Sequence, residues 1–377
     1  MRLDAVAGNP RHREVCWQTL PLIEQPERIA QLALEAARQG ARVLVVRNTV
    51  PAAIGTLQAL ETLCTGDGDA ALLFRVNGVA TLHHSRFARQ DRPGLDHAVE
   101  QQIGKRRARA GGGIVIGTQT LEQSLDLDAD LLITDLCPMD VLLQRLGRLH
   151  RHARPSTEHP EDHRPAGFEQ PRAWILTPEH HDLAPMLARA RHGLGPIRRR
   201  GEALQGVYID LRMLEATRRL IDAQPTCRLP GDNRRLVEQA THVQALAAIE
   251  QDMGAEWIRF GTELDGSLGA RASLAHLHAL PYREPFDKLS FQDNDQKIAT
   301  RLGAADRLLT LEPAPVGPFG QPVKALTVRH HQWPPGVAAD TPPTELTLLP
   351  QGAGFEFSLG PSRWRYDRFG LQQLKTD

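Results

Sequence analysis

Apolar positions follow two different periods along this chain, and the places where one gives way to the other outline its elements. From Pro26 the residues Ile29, Leu32, Ala33 and Ala36 recur at helical spacing, and Gly40 supplies a stop. RVLVVRNT (42–49) follows, a run of branched and leucine side chains that predicts a strand buried on both faces. A second helix is expected over about 51–64, then a Gly/Asp turn, TGDGD. VATLHHSRF (79–87) predicts the next strand, and a polar helix is expected over about 96–109. GIVIGTQ (113–119), DLLITD (130–135) and AWILT (173–177) predict three more strands, with an amphipathic helix over 138–152 before the last. Strands alternating with helices at this spacing predict an α/β fold with a parallel sheet covered on both sides.

The alternation stops near Ala184. VYIDLRMLEATRRLIDA (207–223) and GDNRRLVEQATHVQALAAIEQ (231–251) read as helices, with Asp232 as an N-cap. After about Leu280 come short β-like runs rich in proline, such as RLLTLEPAPVGPFG (307–320) and TELTLLPQGAGFEFSLG (344–360). The expected organisation is therefore a lead-in over 1–25, where no clean period is visible, an α/β domain over 26–183, and a helical and mixed α+β accessory region over 184–377.

Chemistry concentrates on the helix over 138–152. Pro138 fits its first turn, where a missing N–H costs nothing. At 100° per residue, Gln144, Arg148 and Arg151 fall within roughly 60° on one face, and Met139, Leu142, Leu146 and Leu149 lie opposite. Gly147 beside the polar face leaves room for a bulky group. Guanidinium forks match phosphate oxygens, so this face predicts a phosphate-facing surface. Arg145 points about 100° away and is a weaker candidate. Asn48, Thr49, Ser85, Arg86, Thr118 and Gln119 all sit at or just after a strand's carboxyl end, where open α/β sheets place ligand-binding groups.

Composition narrows the class without choosing a ligand. The 45 basic and 45 acidic residues balance, so net charge argues neither for nor against nucleic acid. Cys16, Cys64, Cys137 and Cys227 form no Cys-x-x-Cys pair, which disfavours a zinc ribbon or disulfide framework and fits a reducing cytosol. No apolar run approaches the ~20 residues of a membrane span, so the expected location is cytoplasmic and no membrane partner is expected.

The order NTV, then HSRF…DR, then TQTLEQSLDLD, then QRLGRLHRH resembles the second RecA-like domain of superfamily 2 helicases. Gln144, Gly147, Arg148 and Arg151 match the general Gln-x-x-Gly-Arg-x-x-Arg pattern. With Glu122-Gln123-Ser124-Leu125-Asp126 upstream, and with Ser85-Arg86-Phe87…Asp91-Arg92, the sequence resembles the CRISPR-associated helicase–nuclease of type I systems over roughly 42–152. ATRLG (299–303) and YDRFGL (366–371) are similar to that family's C-terminal region. The resemblance implies a RecA-like sheet, with Arg148 and Arg151 serving the γ-phosphate of ATP and Gln144 positioning the attacking water or that phosphate. Asp128 would contact the ribose or an arginine across the cleft, and Thr118 and Gln119 would link DNA to the nucleotide. It also implies ATP and Mg²⁺ as cofactors, single-stranded DNA and an RNA-guided surveillance complex as partners, and 3′→5′ unwinding.

Neither a Gly-x-x-x-x-Gly-Lys-Ser/Thr phosphate loop nor an Asp-Glu-x-His box occurs in the sequence, and both belong to the family's first RecA-like domain. The expectation is a C-terminal part that neither hydrolyses ATP nor unwinds DNA alone and works with a first RecA-like and nuclease half. Other readings stay open: a different superfamily 2 RNA or DNA translocase, or a non-catalytic DNA-binding or docking remnant. A calcium loop at Asp126, Asp128 and Asp130 fails because Leu131 and Cys137 stand where Gly and Glu are needed. No metal site is expected: zinc at His150, His152, His159 and His163, and a nuclease site at His180-His181-Asp182, both lack partner ligands. Lys105, Arg106, Arg107 and Arg109 read as a solvated basic face with DNA contact as the alternative.

Overall fold

The computed structural model describes residues 12–105, 111–122, 125–154, 163–199, 204–277, 283, 285, 306–334, 336–337 and 346–374. In chain order the first half forms β1 (Arg13–Leu20), α1 (Pro26–Arg38), β2 (Arg42–Val46), α2 (Val50–Leu63) and a short α3 (Asp67–Ala70). A hairpin of β3 (Arg75–Val76) and β4 (Val79–Ala80) leads to α4 (Arg92–Ile103), β5 (Gly113–Gly117), β6 (Leu131–Asp135), α5 (Met139–Leu146) and β7 (Arg172–Leu176). Then come α6 (Ala184–Ala188), α7 (Leu211–Ala223), β8 (Thr226–Leu229), α8 (Asn233–Thr241), α9 (Val243–Met253) and α10 (Ala255–Leu277). The C-terminal region holds the pair β9 (Arg307–Thr310) and β10 (Ala325–Val328), then β11 (Leu349–Gln351), β12 (Gly354–Leu359), β13 (Ser362–Asp367) and β14 (Gly370–Gln373).

Among the described residues the main sheet has six strands in the order β5-β2-β6-β7-β1-β8. All neighbours are parallel except the last pair, β1 with β8. Every residue of β2, β5 and β6 is buried, which is why these strands read as unbroken apolar runs. The α/β expectation holds.

The sheet does not stop at the expected limits of 26 and 183. β1 lies inside the lead-in, pairs with β7 some 150 residues later, and buries Val15 and Trp17. β8, beyond 184, closes the far edge. Three local expectations also change. VATLHHSRF is not a ladder strand throughout: Val79–Ala80 pair with β3, and the chain then runs along β5 through a single bridge at His83 and Gly117. The polar helix starts at Arg92 rather than 96, with Pro93 in its first turn. α5 ends at Leu146 with Gly147 as its C-cap, so Arg148 and Arg151 leave the helix. The chain turns there because 148–150 pair with Ala129: its N–H donates to the Arg148 carbonyl at 2.9 Å and its carbonyl accepts from His150 N at 3.0 Å.

The C-terminal sheet is seated on the SRF…DR motif. Tyr366, fully buried, donates its hydroxyl to Asp91 and accepts from Ala88 N at 2.9 Å. Leu371 N donates to the Arg86 carbonyl at 3.0 Å, and Phe87 stacks on His84 with centroids 4.6 Å apart. His84 is fully buried, and both ring nitrogens are used by the neutral form: Nε2 faces the Phe369 carbonyl at 3.1 Å and Nδ1 accepts from Arg86 N at 3.1 Å. Burial, with Arg86 nearby, pushes its pKa down to about 3. The unfolded chain, with an ordinary value near 6.5, takes up a proton that the folded chain refuses, so this contribution to stability is lost as pH falls below about 6.5. We expect His84 alone to cost about 2 kcal/mol between pH 7 and pH 5. Urea titrations at both pH values, beside a His84→Gln chain with a flatter profile, check this.

Candidate functional site

The carboxyl ends of β2 and β6 are locked together by one buried ion pair. Arg47 Nε meets Asp135 Oδ1 at 2.8 Å with both side chains out of solvent, and Asn48 N donates to Asp135 Oδ2 at 2.8 Å. Asn48 and Thr49 therefore leave the sheet in a defined direction, with Thr49 capping α2. Thr118 and Gln119 leave β5 alongside them, and Gln119 Nε2 donates to the Asn48 carbonyl at 2.9 Å. Ser85 and Arg86 arrive beside β5 from the irregular edge segment.

These six residues line a single cleft of about 670 Å³. Its other wall comes from the accessory region: the 204–209 loop, Arg199, Arg271 of α10, and Arg329, His330 and His331. Arg329 donates to Ser85 Oγ at 2.9 Å and pairs with Asp306, and Arg271 donates to the Leu204 carbonyl. Among the described residues, Arg86, Arg199, Arg271 and Arg329 set four guanidiniums against one lining carboxylate, Asp306. Burial and Arg329 lower the Arg86 pKa, and burial with Arg86, Arg199 and Arg329 lowers that of His331. The cleft suits a chain of anionic groups. Its second wall was not legible in the sequence, because an arginine late in the chain carries no mark of the motif it will face.

The residues expected at the nucleotide are arranged differently from the helical projection. Arg148 reaches back to the preceding loop, donating Nη1 to the Leu125 carbonyl at 2.6 Å and Nη2 to the Glu122 carbonyl. Its Nε–H is buried with no partner among the described residues. Arg151, about half exposed, pairs with Asp126 at 2.8 Å. Gln144 is exposed in a groove between α5 and α8, beside Asp140 and Asn233. The structure thus brings Arg148 and Arg151 together on the 122–126 segment and leaves Gln144 on another face of the helix. Gly147 closes that helix, where a Cβ would lie 3.0 Å from the Gln144 carbonyl.

Asp128 is fully buried, with its carboxylate held by Arg154 at 2.9 Å and Arg164 at 2.8 Å. Asp130 pairs with Arg164 at 2.5 Å. His150, His152 and His163 do converge, with Arg13, Arg154 and Arg164, on a cavity of about 370 Å³. Among the described residues no three His, Cys, Asp or Glu are placed to hold a metal. His159, Arg106, Arg107, Arg109, Gln123, Ser124 and residues 299–303 lie outside the described residues.

Arg145 carries more of this site than its place on the helical wheel suggests. It is fully buried and all five of its N–H donors are used: Nε on Glu122 at 2.8 Å, Nη1 on Thr134 Oγ1 at 2.7 Å and the Asp135 carbonyl at 3.0 Å, and Nη2 on Asn48 Oδ1 at 3.1 Å and the Tyr208 hydroxyl at 2.8 Å. Burial raises the Glu122 pKa, and Arg145 opposes that rise. A helical wheel places Arg145 between faces and cannot show a buried acceptor set drawn from four separate segments.

Residues 39–154 match the family described as CRISPR-associated nuclease/helicase Cas3, C-terminal. The CRISPR-associated endonuclease/helicase Cas3 of Escherichia coli K12 is 42% identical over 146 residues, 39% of this chain and 14% of that protein. The chain thus spans a minor part of this relative. The crystal structure of T. fusca Cas3 with AMPPNP superposes with a TM-score of 0.64 at 22% identity, covering 95% of this chain and 42% of that one. A chain in a CRISPR RNA-guided surveillance complex in a pre-nicking state has a TM-score of 0.59 at 23% identity, over 96% of this chain and 44% of its own. Residues 39–154 are thus similar to the C-terminal part of Cas3 proteins, and the chain shares the fold of the matched part of these solved structures.

Proposed function

We propose that this chain is the second motor domain of an ATP-dependent DNA helicase that acts in CRISPR interference in the cytoplasm. The cleft holds a single DNA strand by its phosphates, through Asn48, Thr49, Ser85, Arg86, Thr118 and Gln119 on one wall and the accessory arginines on the other. One observation carries the reading: residues from the carboxyl ends of β2 and β5 and from the irregular edge segment share one cleft lined by guanidiniums. Backbone contacts of this kind position a strand without reading its bases.

Arg148 and Arg151, held at Glu122, Leu125 and Asp126, serve the phosphates of ATP, whose phosphate loop belongs to a first RecA-like domain. The Nε–H of Arg148, without a partner among the described residues, fits such an acceptor. Gln144 reaches the nucleotide only from a face the first domain would cover. Asp128 acts by holding Arg154 and Arg164, and Gly147 by ending α5 so that Arg148 can turn inward. Because no described group of three ligands fits a metal, no step is assigned to Mg²⁺ on this chain. The likeness to a chain of an RNA-guided surveillance complex supports such a complex as the partner that delivers DNA.

Strand binding is tested with the chain and a fluorescent oligothymidylate. Affinity should fall linearly with salt on a log–log plot, with a slope of about −0.7 for each phosphate neutralised. Arg86→Ala should weaken binding and reduce the slope magnitude by about 0.7, the share of one phosphate. Salt-independent binding, or tighter binding to RNA of the same length, would sink the DNA reading.

A further inference from the structure

The cleft and the Arg148 segment are joined by one continuous set of buried and part-buried hydrogen bonds. In the 204–209 loop, Val207 and Ile209 line the cleft, whereas Tyr208 between them sends its hydroxyl to Arg145. Gln119, in the cleft wall, holds the Asn48 carbonyl, and the Asn48 side-chain oxygen accepts from Arg145 as well. Arg145 then grips the Glu122 carboxylate, and the carbonyl of the same residue accepts from Arg148. The links at Arg145 to Glu122 and Asn48 are buried, where polar contacts are stronger and their loss costs more, and those through Tyr208, Gln119 and Arg148 are part-buried.

We propose that Tyr208 and Arg145 are positioning residues that transmit occupancy of the cleft to the setting of Arg148, an inference that rests on the strand-binding reading of that cleft. Three features support it. A strand in the cleft presses on the loop that carries Tyr208, since both its neighbours are lining residues. Arg145 has no spare donor, so a shift of Tyr208 or Asn48 forces its other contacts to readjust. Arg148 is poised to respond, because its buried Nε–H has no partner among the described residues, a cost that a new arrangement relieves.

Amide hydrogen exchange on the full chain, with and without oligothymidylate, tests the link. In the unsubstituted chain the strand should slow exchange in 204–209 and, by about fivefold or more, in 143–151. Tyr208→Phe keeps the ring and removes the hydroxyl. It should bind the strand with near-normal affinity and keep protection in 204–209 while losing it in 143–151. A purely structural tyrosine would leave that ratio of protections unchanged, and full protection of 143–151 in Tyr208→Phe overturns the proposal. If the unsubstituted chain binds and protects 204–209 but not 143–151, the coupling fails while the cleft reading stands. If it binds no strand at any salt, both fall. Should Tyr208→Phe not fold, the unsubstituted pattern still decides.

Discussion

Arg148→Ala is expected to lower DNA-stimulated ATP turnover by about 10³-fold or more once this chain is joined to a phosphate-loop domain, while leaving single-strand affinity nearly intact. The size follows from the chemistry. Phosphoryl transfer gains mostly from charge placed where it develops in the transition state, and an arginine supplied by a second domain is worth 10³–10⁵ in other phosphoryl-transfer enzymes. Arg148 is half-buried and fixed by two carbonyls, so little reorganisation separates it from a phosphate acceptor. Arg148→Lys should recover only part of the rate, because an ammonium lacks the fork that holds the Glu122 and Leu125 carbonyls together. Single-turnover hydrolysis alongside anisotropy with oligothymidylate separates the two effects. The chain by itself should show no turnover, and robust hydrolysis by it alone would place the phosphate-binding chemistry elsewhere in the sequence.

Arg145→Met should be the most damaging substitution for stability, by about 3–5 kcal/mol, the usual cost of breaking a buried ion pair from one side. It strands the buried Glu122 carboxylate together with Thr134, Asn48 and Tyr208. Against a typical domain stability of about 5–15 kcal/mol, much of the folded margin disappears. Adding Glu122→Gln should recover part of the loss, since the remaining partner is then neutral. Urea denaturation of the three chains checks both statements. A loss below about 1 kcal/mol for Arg145→Met would show that the buried pair had contributed little net stability.

Much of the α/β sheet was legible because a strand buried on both faces must be apolar throughout, as β2, β5 and β6 are. The candidate strand-end residues were legible for a related reason: turns at the carboxyl ends of parallel strands collect on one side of a sheet. β1 was not legible. Its partner β7 lies far along the chain, and Arg13–Leu20 mixes buried Val15 and Trp17 with exposed polar residues, as suits a strand outside the fully covered centre. The helical reach assigned to Arg148 and Arg151 failed because backbone pairing with Ala129, invisible to any local period, draws the chain out of the helix.

MDVLLQRLGRLHRH, read alone, determined that an apolar face is buried, as Met139, Leu142, Leu146 and Leu149 are, and that arginines lie near the other side. Only the tertiary structure decided which arginine does what. A guanidinium takes its role from the acceptors around it, and those come from other segments. Arg145 became a buried strut because Glu122, Thr134, Asp135, Asn48 and Tyr208 meet there, and Arg148 became the inward-turned group because the helix ends at Gly147.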